Sequence, residues 1–381
     1  MSDPSNEKQP GLLELLEQWE KQGASDAEIT KRVRDYLSIK ARIMGVPMRG
    51  TFELTPLCNL NCKMCYVHLS QNQLLHMGKG VLSTSQWKQI MSAAIDAGMT
   101  SAILTGGEAL LHPGFDELYL FLHNHGIELN IKTNGLLLDE SRIEFFKKHE
   151  PQCLQITLYG SDEDSYAKVT GHRCFYKVIQ SVQRVMASNL PLRISITPSK
   201  YAQDNLEELI RYVHSLGVSY AINSTLYTPR DETGRSGEQN DLSIEEYVHL
   251  GRFVKEIEGV HPEQACTERL APVQQIRQSP KGLRCGAGRD GFAVNWQGQM
   301  QPCLMLCHIC EELQTTPFGV CWERIHREAE NYPALEECQT CAYVRRCPYS
   351  CVAMHLPYGK SGHVDPELCN RAKRMVNVEQ W

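Results

Sequence analysis

From about residue 50 onward the chain alternates between stretches that suit a strand and stretches that suit a helix. Apolar or alternating segments stand at Thr51–Thr55, Ser101–Leu104, Glu128–Lys132, Leu154–Leu158, Leu192–Thr197 and Tyr220–Leu226. Helical spacing fills intervals at Ser85–Ala97, Phe115–His123, Glu140–Lys148, Phe175–Ala187 and Leu206–Leu216. Ser83 and Gln86 form a capping box ahead of the first of these, and glycine closes several, at Gly98, Gly126 and Gly217. A helix between two neighbouring strands is a crossover, so those strands run parallel. Six such units predict an α/β fold built on a curled sheet, a partial (β/α)6 TIM-like barrel. A doubly wound sheet fits less well, because no glycine-rich phosphate fingerprint follows the first strand.

With 381 residues the chain exceeds one comfortable core, and four segments are expected. Residues 1–46 read as a helical extension, with Leu12, Leu15, Leu16 and Trp19 at helical spacing and a Ser25/Glu28 capping box. This pair of helices either packs on the next domain or offers a docking surface for a substrate's leader segment. Residues 47–228 hold the barrel. Residues 229–281 form a linker, with Pro229, Gly234 and Gly237 near its start, and a helix at Ile244–Ile257. Residues 282–381 are rich in cysteine and turns, with a hairpin expected at Phe292–Pro302 around Gln297-Gly298. A net charge of −6 gives no basic footprint, so no nucleic-acid partner is expected. No apolar run could span a bilayer, and the polar start MSDPSNEKQP lacks a signal segment. A cytoplasmic location follows as the expectation.

Sixteen cysteines stand out in such a composition. In a reducing compartment they point to metal binding or catalysis rather than to disulfides. Cys153, Cys174 and Cys266 are isolated and read as small buried hydrophobes. Cys58, Cys62 and Cys65 form C-x3-C-x2-C immediately after the first strand. Three thiolates on one short loop can hold three irons of a [4Fe–4S] cube and leave the fourth open. A zinc site is the rival reading, although such sites draw paired cysteines from two loops with a fourth ligand nearby. The second strand ends in Leu104-Thr105-Gly106-Gly107-Glu108.

The cysteine loop after one strand and the Gly-Gly-Glu turn after the next resemble the radical S-adenosylmethionine (SAM) superfamily, over residues 50 to 225. The resemblance implies a [4Fe–4S] cluster on Cys58, Cys62 and Cys65. Its open iron would be chelated by the amino and carboxylate groups of SAM, with Gly106, Gly107 and Glu108 receiving the amino group. Thr133 and Asn134, in the Thr133-Asn134-Gly135 turn after the third strand, match a further family position. Thr157, closing the fourth strand, falls where a hydroxyl approaches SAM, or else simply fills a strand. Met64 is a departure. The family carries an aromatic residue there beside the adenine, and a polarizable thioether can still lie against a purine edge.

The last hundred residues carry Cys285, then Gly298 and Cys303, then Cys338, Cys341, Cys347, Cys351 and finally Cys369. This pattern resembles the seven-cysteine SPASM (twitch) domain, which holds one or two auxiliary [4Fe–4S] clusters. The resemblance assigns Cys338, Cys341, Cys347 and Cys369 to an outer cluster and Cys285, Cys303 and Cys351 to an inner one. A zinc ribbon accounts for Cys338 and Cys341 alone but poorly for all seven. Cys307, Cys310 and Cys321 are extra. One of them could complete the inner site, Cys307 is a candidate hydrogen-atom donor to a substrate radical, and all three could equally be incidental. Leu304 stands where anaerobic sulfatase maturases carry a base, and a leucine cannot take a proton.

The resemblance implies reductive cleavage of SAM to a 5′-deoxyadenosyl radical, with a flavodoxin or ferredoxin as electron donor. The substrate is expected to be a peptide or protein side chain. A small molecule is the alternative, and a non-enzymatic iron–sulfur or zinc protein a remoter one.

Overall fold

The structure is a computed structural model that describes residues 11–76, 80–223, 242–259, 282–344, 347, 349–356 and 358–379. Two helices lead in, α1 (Leu12–Lys21) and α2 (Asp26–Met44), the second capped by Ser25 and Glu28 as the sequence predicts. Strands β1 (Arg49–Glu53), β2 (Ser101–Thr105), β3 (Glu128–Thr133), β4 (Cys153–Leu158), β5 (Leu192–Ile196) and β6 (Ser219–Ile222) follow in register, every pair parallel. Between β1 and β6 lie α3 (Gln71–His76), α4 (Thr84–Asp96), α5 (Phe115–Asn124), α6 (Glu140–Lys148), α7 (Glu163–Thr170), α8 (Phe175–Ala187) and α9 (Leu206–Ser215). After them come α10 (Ile244–Glu258), β7 (Gly291–Val294), β8 (Gln299–Gln301), β9 (Glu311–Glu312), α11 (Phe318–Asn331), α12 (Glu336–Gln339) and α13 (Pro366–Glu379). No helix among the described residues is long and apolar enough to cross a membrane.

The strands alternate as a half-covered sheet requires. Phe52, Leu104, Ile131, Leu154, Ile156 and Ile194 point to the helices and are buried against Trp87, Leu118, Phe146, Val182 and Ile210. The opposite parity carries Thr105, Asn130, Lys132, Gln155, Thr157 and Arg193, so the inner face of the curl is polar. In a closed TIM barrel that face is filled by branched apolar side chains. Here it is a lined concavity.

The sheet does not stop where the cysteine-rich segment begins. Its order is β6-β5-β4-β3-β2-β1-β7-β8-β9, with β7 parallel to β1 and β8 and β9 antiparallel beyond it. The expected hairpin is therefore present, and it extends the barrel's sheet. Phe292 of β7 packs edge-on against Phe52, Phe318 and Trp322, which joins the two segments into one core. The boundaries expected at 228 and 282 fall beside residues 224–241 and 260–281, which lie outside the described residues, as do the linker's Pro229, Gly234 and Gly237 and the isolated Cys266. Cys153 and Cys174 are half-buried rather than core residues. Cys153 has the inner-face parity of β4, and Cys174 lies just before α8.

Candidate active site

The chain leaves β1 and passes over the end of β2. Leu54 N–H donates to Thr105 O at 2.9 Å, Gly107 N–H to Thr55 O at 2.7 Å, and Glu108 N–H to Leu57 O at 2.9 Å. The Gly-Gly-Glu turn is thus the floor on which the cysteine loop is laid. Both glycines are needed for that approach: a Cβ on Gly106 would stand 2.4 Å from Thr55 O, and one on Gly107 2.4 Å from Leu57 O. Backbone carbonyls cannot yield as a flexible side chain can.

Glu108 ties this floor to the next strand. Its carboxylate is 1% exposed and accepts from Thr133 Oγ1 at 2.9 and 3.0 Å, Asn134 N–H at 2.7 Å and Leu110 N–H at 3.1 Å. Burial pushes its pKa up, and these hydrogen bonds oppose the rise. Asn134 carries the connection onward, donating from Nδ2 to Asn59 Oδ1 at 2.6 Å and to Cys58 Sγ at 3.6 Å.

Burial pushes the Cys58 thiol up to about 11 and that of Cys62 higher still; the nearby charge of Cys65 adds to both, and that of Cys58 adds to Cys62. None is in a disulfide. Backbone donors already point at the sulfurs, Leu60 N–H to Cys58 at 3.4 Å and His68 N–H to Cys65 at 3.3 Å, and the Tyr159 hydroxyl hydrogen-bonds Cys62. Donors aimed at sulfur suit a thiolate ligand, whose charge they stabilise. Among the described residues no three His, Cys, Asp or Glu side chains converge on a single metal ion. A cube sets each thiolate on a different iron, so the three need not meet at one point. The residues present therefore fit a [4Fe–4S] cluster.

Among the other site residues read from the sequence, Thr157 has inner-face parity at the end of β4. Met64 is 7% exposed and packs with Leu60, Cys62, Val169 and Ala202 under the loop. The cysteine-rich segment gathers its thiols in two groups. Cys338, Cys341, Cys347 and Cys369 all line one small cavity, together with Tyr349 and His355. Cys303 stands with Cys285 and Cys351, whose charges help burial push its thiol up to about 11. Cys307 and Cys310 are exposed. Cys310 borders an open cavity of about 440 Å³, with His308, Arg324 and Tyr332. Cys321 is buried in α11, its thiol pointing to Thr316 O at 3.6 Å. Leu304 is 8% exposed.

Three contributors escaped sequence reasoning. Tyr159 stands just past β4, and nothing in the sequence around it announces a sulfur partner. The short helix α7 holds the cysteine loop through carbonyls at its last turn; its one signal is Asp162, which caps it with Ser165. Lys132 has the inner-face parity of β3, where desolvation among the surrounding strands holds the ammonium below its ordinary pKa.

Residues 52–233 match the family model described as Radical SAM superfamily. An AdoMet-dependent heme synthase from Methanosarcina barkeri is 22% identical over 80% of this chain and 90% of its own length. The antilisterial bacteriocin subtilosin biosynthesis protein AlbA from Bacillus subtilis is also 22% identical, over 68% of this chain but only 55% of its own length. Streptococcus suis SuiB, solved with S-adenosylmethionine bound, superposes with a TM-score of 0.65 at 14% identity, over 94% of this chain and 88% of SuiB. The same protein bound to its precursor peptide SuiA gives 0.64 at 15%, over 97% and 84%. The C-x3-C-x2-C loop, the turn beneath it and the parallel sheet that carries both lie within the segment that matches, so residues 52–233 form a radical SAM superfamily domain.

Proposed function

We propose that this chain is a radical SAM enzyme that modifies a side chain of a peptide or protein substrate. The observation that carries the reading is the cysteine loop at the mouth of β1, laid on the Gly106–Glu108 turn and opening over a polar inner face. When bound, a [4Fe–4S] cluster and S-adenosylmethionine supply a 5′-deoxyadenosyl radical that removes a hydrogen atom from substrate. Cys58, Cys62 and Cys65 hold the cluster, each losing its proton on binding metal, which the raised thiol pKa values make pH-dependent. Asn134 fixes Cys58 through its side-chain amide, and Glu108 fixes Asn134. Gly106 and Gly107 present backbone to the methionine moiety, and Thr157 approaches from across the sheet. The four thiols around the cavity at Cys338 and the trio at Cys303 are the ligands for auxiliary clusters.

Peptide substrates are favoured by the similarity to AlbA and by SuiB, which was solved with a precursor peptide. The heme synthase, which this chain matches over most of both lengths, favours a second reading, a small molecule in cofactor synthesis. Anaerobic reconstitution followed by reduction tests the common core. The wild-type protein should release 5′-deoxyadenosine, and Cys62→Ala should bring it below detection. Release that survives this substitution would falsify the assignment. Stimulation of release by a short peptide encoded beside the gene, rather than by a heme precursor, then separates the two substrates.

A further inference from the structure

The inner face of the curl carries a level row of polar side chains. Lys132 stands opposite Gln155, and Gln155 opposite Arg193. Thr105 follows Leu104, which pairs with Ile131, so Thr105 and Lys132 are neighbours on β2 and β3. Glu53 stands beyond, opposite Thr105. Two residues further along β3 and β4, about 7 Å nearer the cysteine loop, come Asn134, whose amide reaches Cys58 Sγ, and Thr157. The row therefore lies one strand repeat beneath the cysteine loop.

Thr105, Lys132 and Gln155 are adjacent on three adjacent strands, and none of their side chains makes a hydrogen bond or ion pair with a described residue. Other polar groups of this face are used: Glu128 of β3 holds Arg34 at 2.8 Å, and Ser195 Oγ of β5 accepts from Asn223 Nδ2 at 2.6 Å. Solvent reaches Lys132, yet the strands around it desolvate the ammonium and lower its pKa. Both hold together for a group inside a cup. Desolvation acts alone there, with no carboxylate to offset it. Glu53 is wholly buried two strands away, and the charge of Arg193 is felt by Cys153, one repeat lower on β4. An ammonium in a cup without a counter-ion is short of one negative charge.

Resting on the radical SAM reading, we propose that Lys132 anchors a carboxylate of the substrate, with the Thr105 hydroxyl and the Gln155 amide donating beside it. For a peptide substrate that carboxylate is an aspartate or glutamate side chain. One ammonium flanked by two neutral donors balances a single negative charge, whereas a phosphate dianion would leave charge uncompensated in the same row as Glu53. Partial desolvation strengthens the pair once it forms. The anchor also fixes which carbon of the substrate faces the cysteine loop, so it selects as well as binds.

The test is equilibrium dialysis of the reconstituted holoenzyme, with S-adenosylmethionine present, against two radiolabelled probes. N-acetylglutamate amide carries a side-chain carboxylate as its only charge, and N-acetylglutamine amide is its neutral isostere. The wild-type protein should hold the acid about tenfold more tightly than the amide. Lys132→Met should abolish that preference and Lys132→Arg should keep most of it, with iron content and S-adenosylmethionine affinity at wild-type levels in both. Arg193→Met, which takes the same charge from the same face, should matter far less. Equal retention of the two probes by the wild-type protein overturns the anchor, as does an equal loss in Lys132→Met and Arg193→Met. A matching fall in S-adenosylmethionine affinity in Lys132→Met also overturns it, because the ammonium then holds the cofactor's own carboxylate. Absence of 5′-deoxyadenosine from the reduced wild-type protein would instead sink the radical SAM reading, while the dialysis still judges the carboxylate site.

Discussion

The Glu108 carboxylate lies wholly inside the protein and takes hydrogen bonds from Thr133, Asn134 and Leu110. The motif marks the turn that this residue ends; its partner strand could not be read from it, because Thr133 and Asn134 stand on the following strand–helix unit. The contacts seen tie two strand ends together beneath Cys58, alongside the proposed part in receiving the SAM amino group. Glu108→Ala would leave two buried backbone N–H groups without acceptors, each worth about 1–3 kcal/mol. Urea titration should therefore show a loss of about 2–6 kcal/mol, a cost that a residue serving only a bound cofactor would not impose on the apo-protein. Tyr159 and Lys132 mark the limit of residue-level legibility: each matters through what it faces across the sheet, and the sequence carries no sign of that.

At the scale of elements, the six barrel strands and most of their helices were legible, because each is amphipathic with its own period and punctuation. Helix α7 was not, being short and opened by an acidic cluster that reads as a loop. Strand β7 was read as half of a hairpin; that it also pairs with β1 is a long-range choice that local pattern does not encode. The linkage between elements has a pH signature. His112 Nδ1 accepts from Gly114 N–H at 3.1 Å, so Nε2 carries the proton and donates to Leu82 O at 3.3 Å, joining the end of the Gly-Gly-Glu turn to the segment before α4. Burial holds this imidazole below its ordinary pKa. The unfolded chain takes up the proton first as pH falls, so the stabilisation is fully present above about pH 6.5 and is lost as pH drops through the lower folded value. Denaturation midpoints measured from about pH 7.5 to 5.5 should decline in the wild-type protein, and His112→Gln should flatten part of that slope. An unchanged slope would show that the hydrogen bonds from His112 do not control it.

Across the whole molecule, Asp290 is the point where three separate parts meet. Its fully buried carboxylate takes Arg42 Nε of α2 at 2.9 Å and Arg49 Nη2 of β1 at 2.9 Å, and it stands immediately before β7. Trp322 Nε1 adds a bond to Gly45 O at 2.6 Å, so the N-terminal helices are held from both sides by the cysteine-rich segment. Asp290→Ala should cost about 3 kcal/mol in chemical denaturation, because it strands two guanidinium groups; a loss well under 1 kcal/mol would show that the arginines find water instead.

The pairing of β1 with β7 also sets a timetable. Residues 49–53 wait for residues 291–294, and until those emerge from the ribosome β1 has one bare edge that any other strand could join. The cysteine loop hangs from that same strand. A nascent chain thus exposes the loop proposed to hold the cluster beside an unfinished sheet for most of its synthesis, which on that proposal favours delivery of iron and sulfide after release rather than during translation.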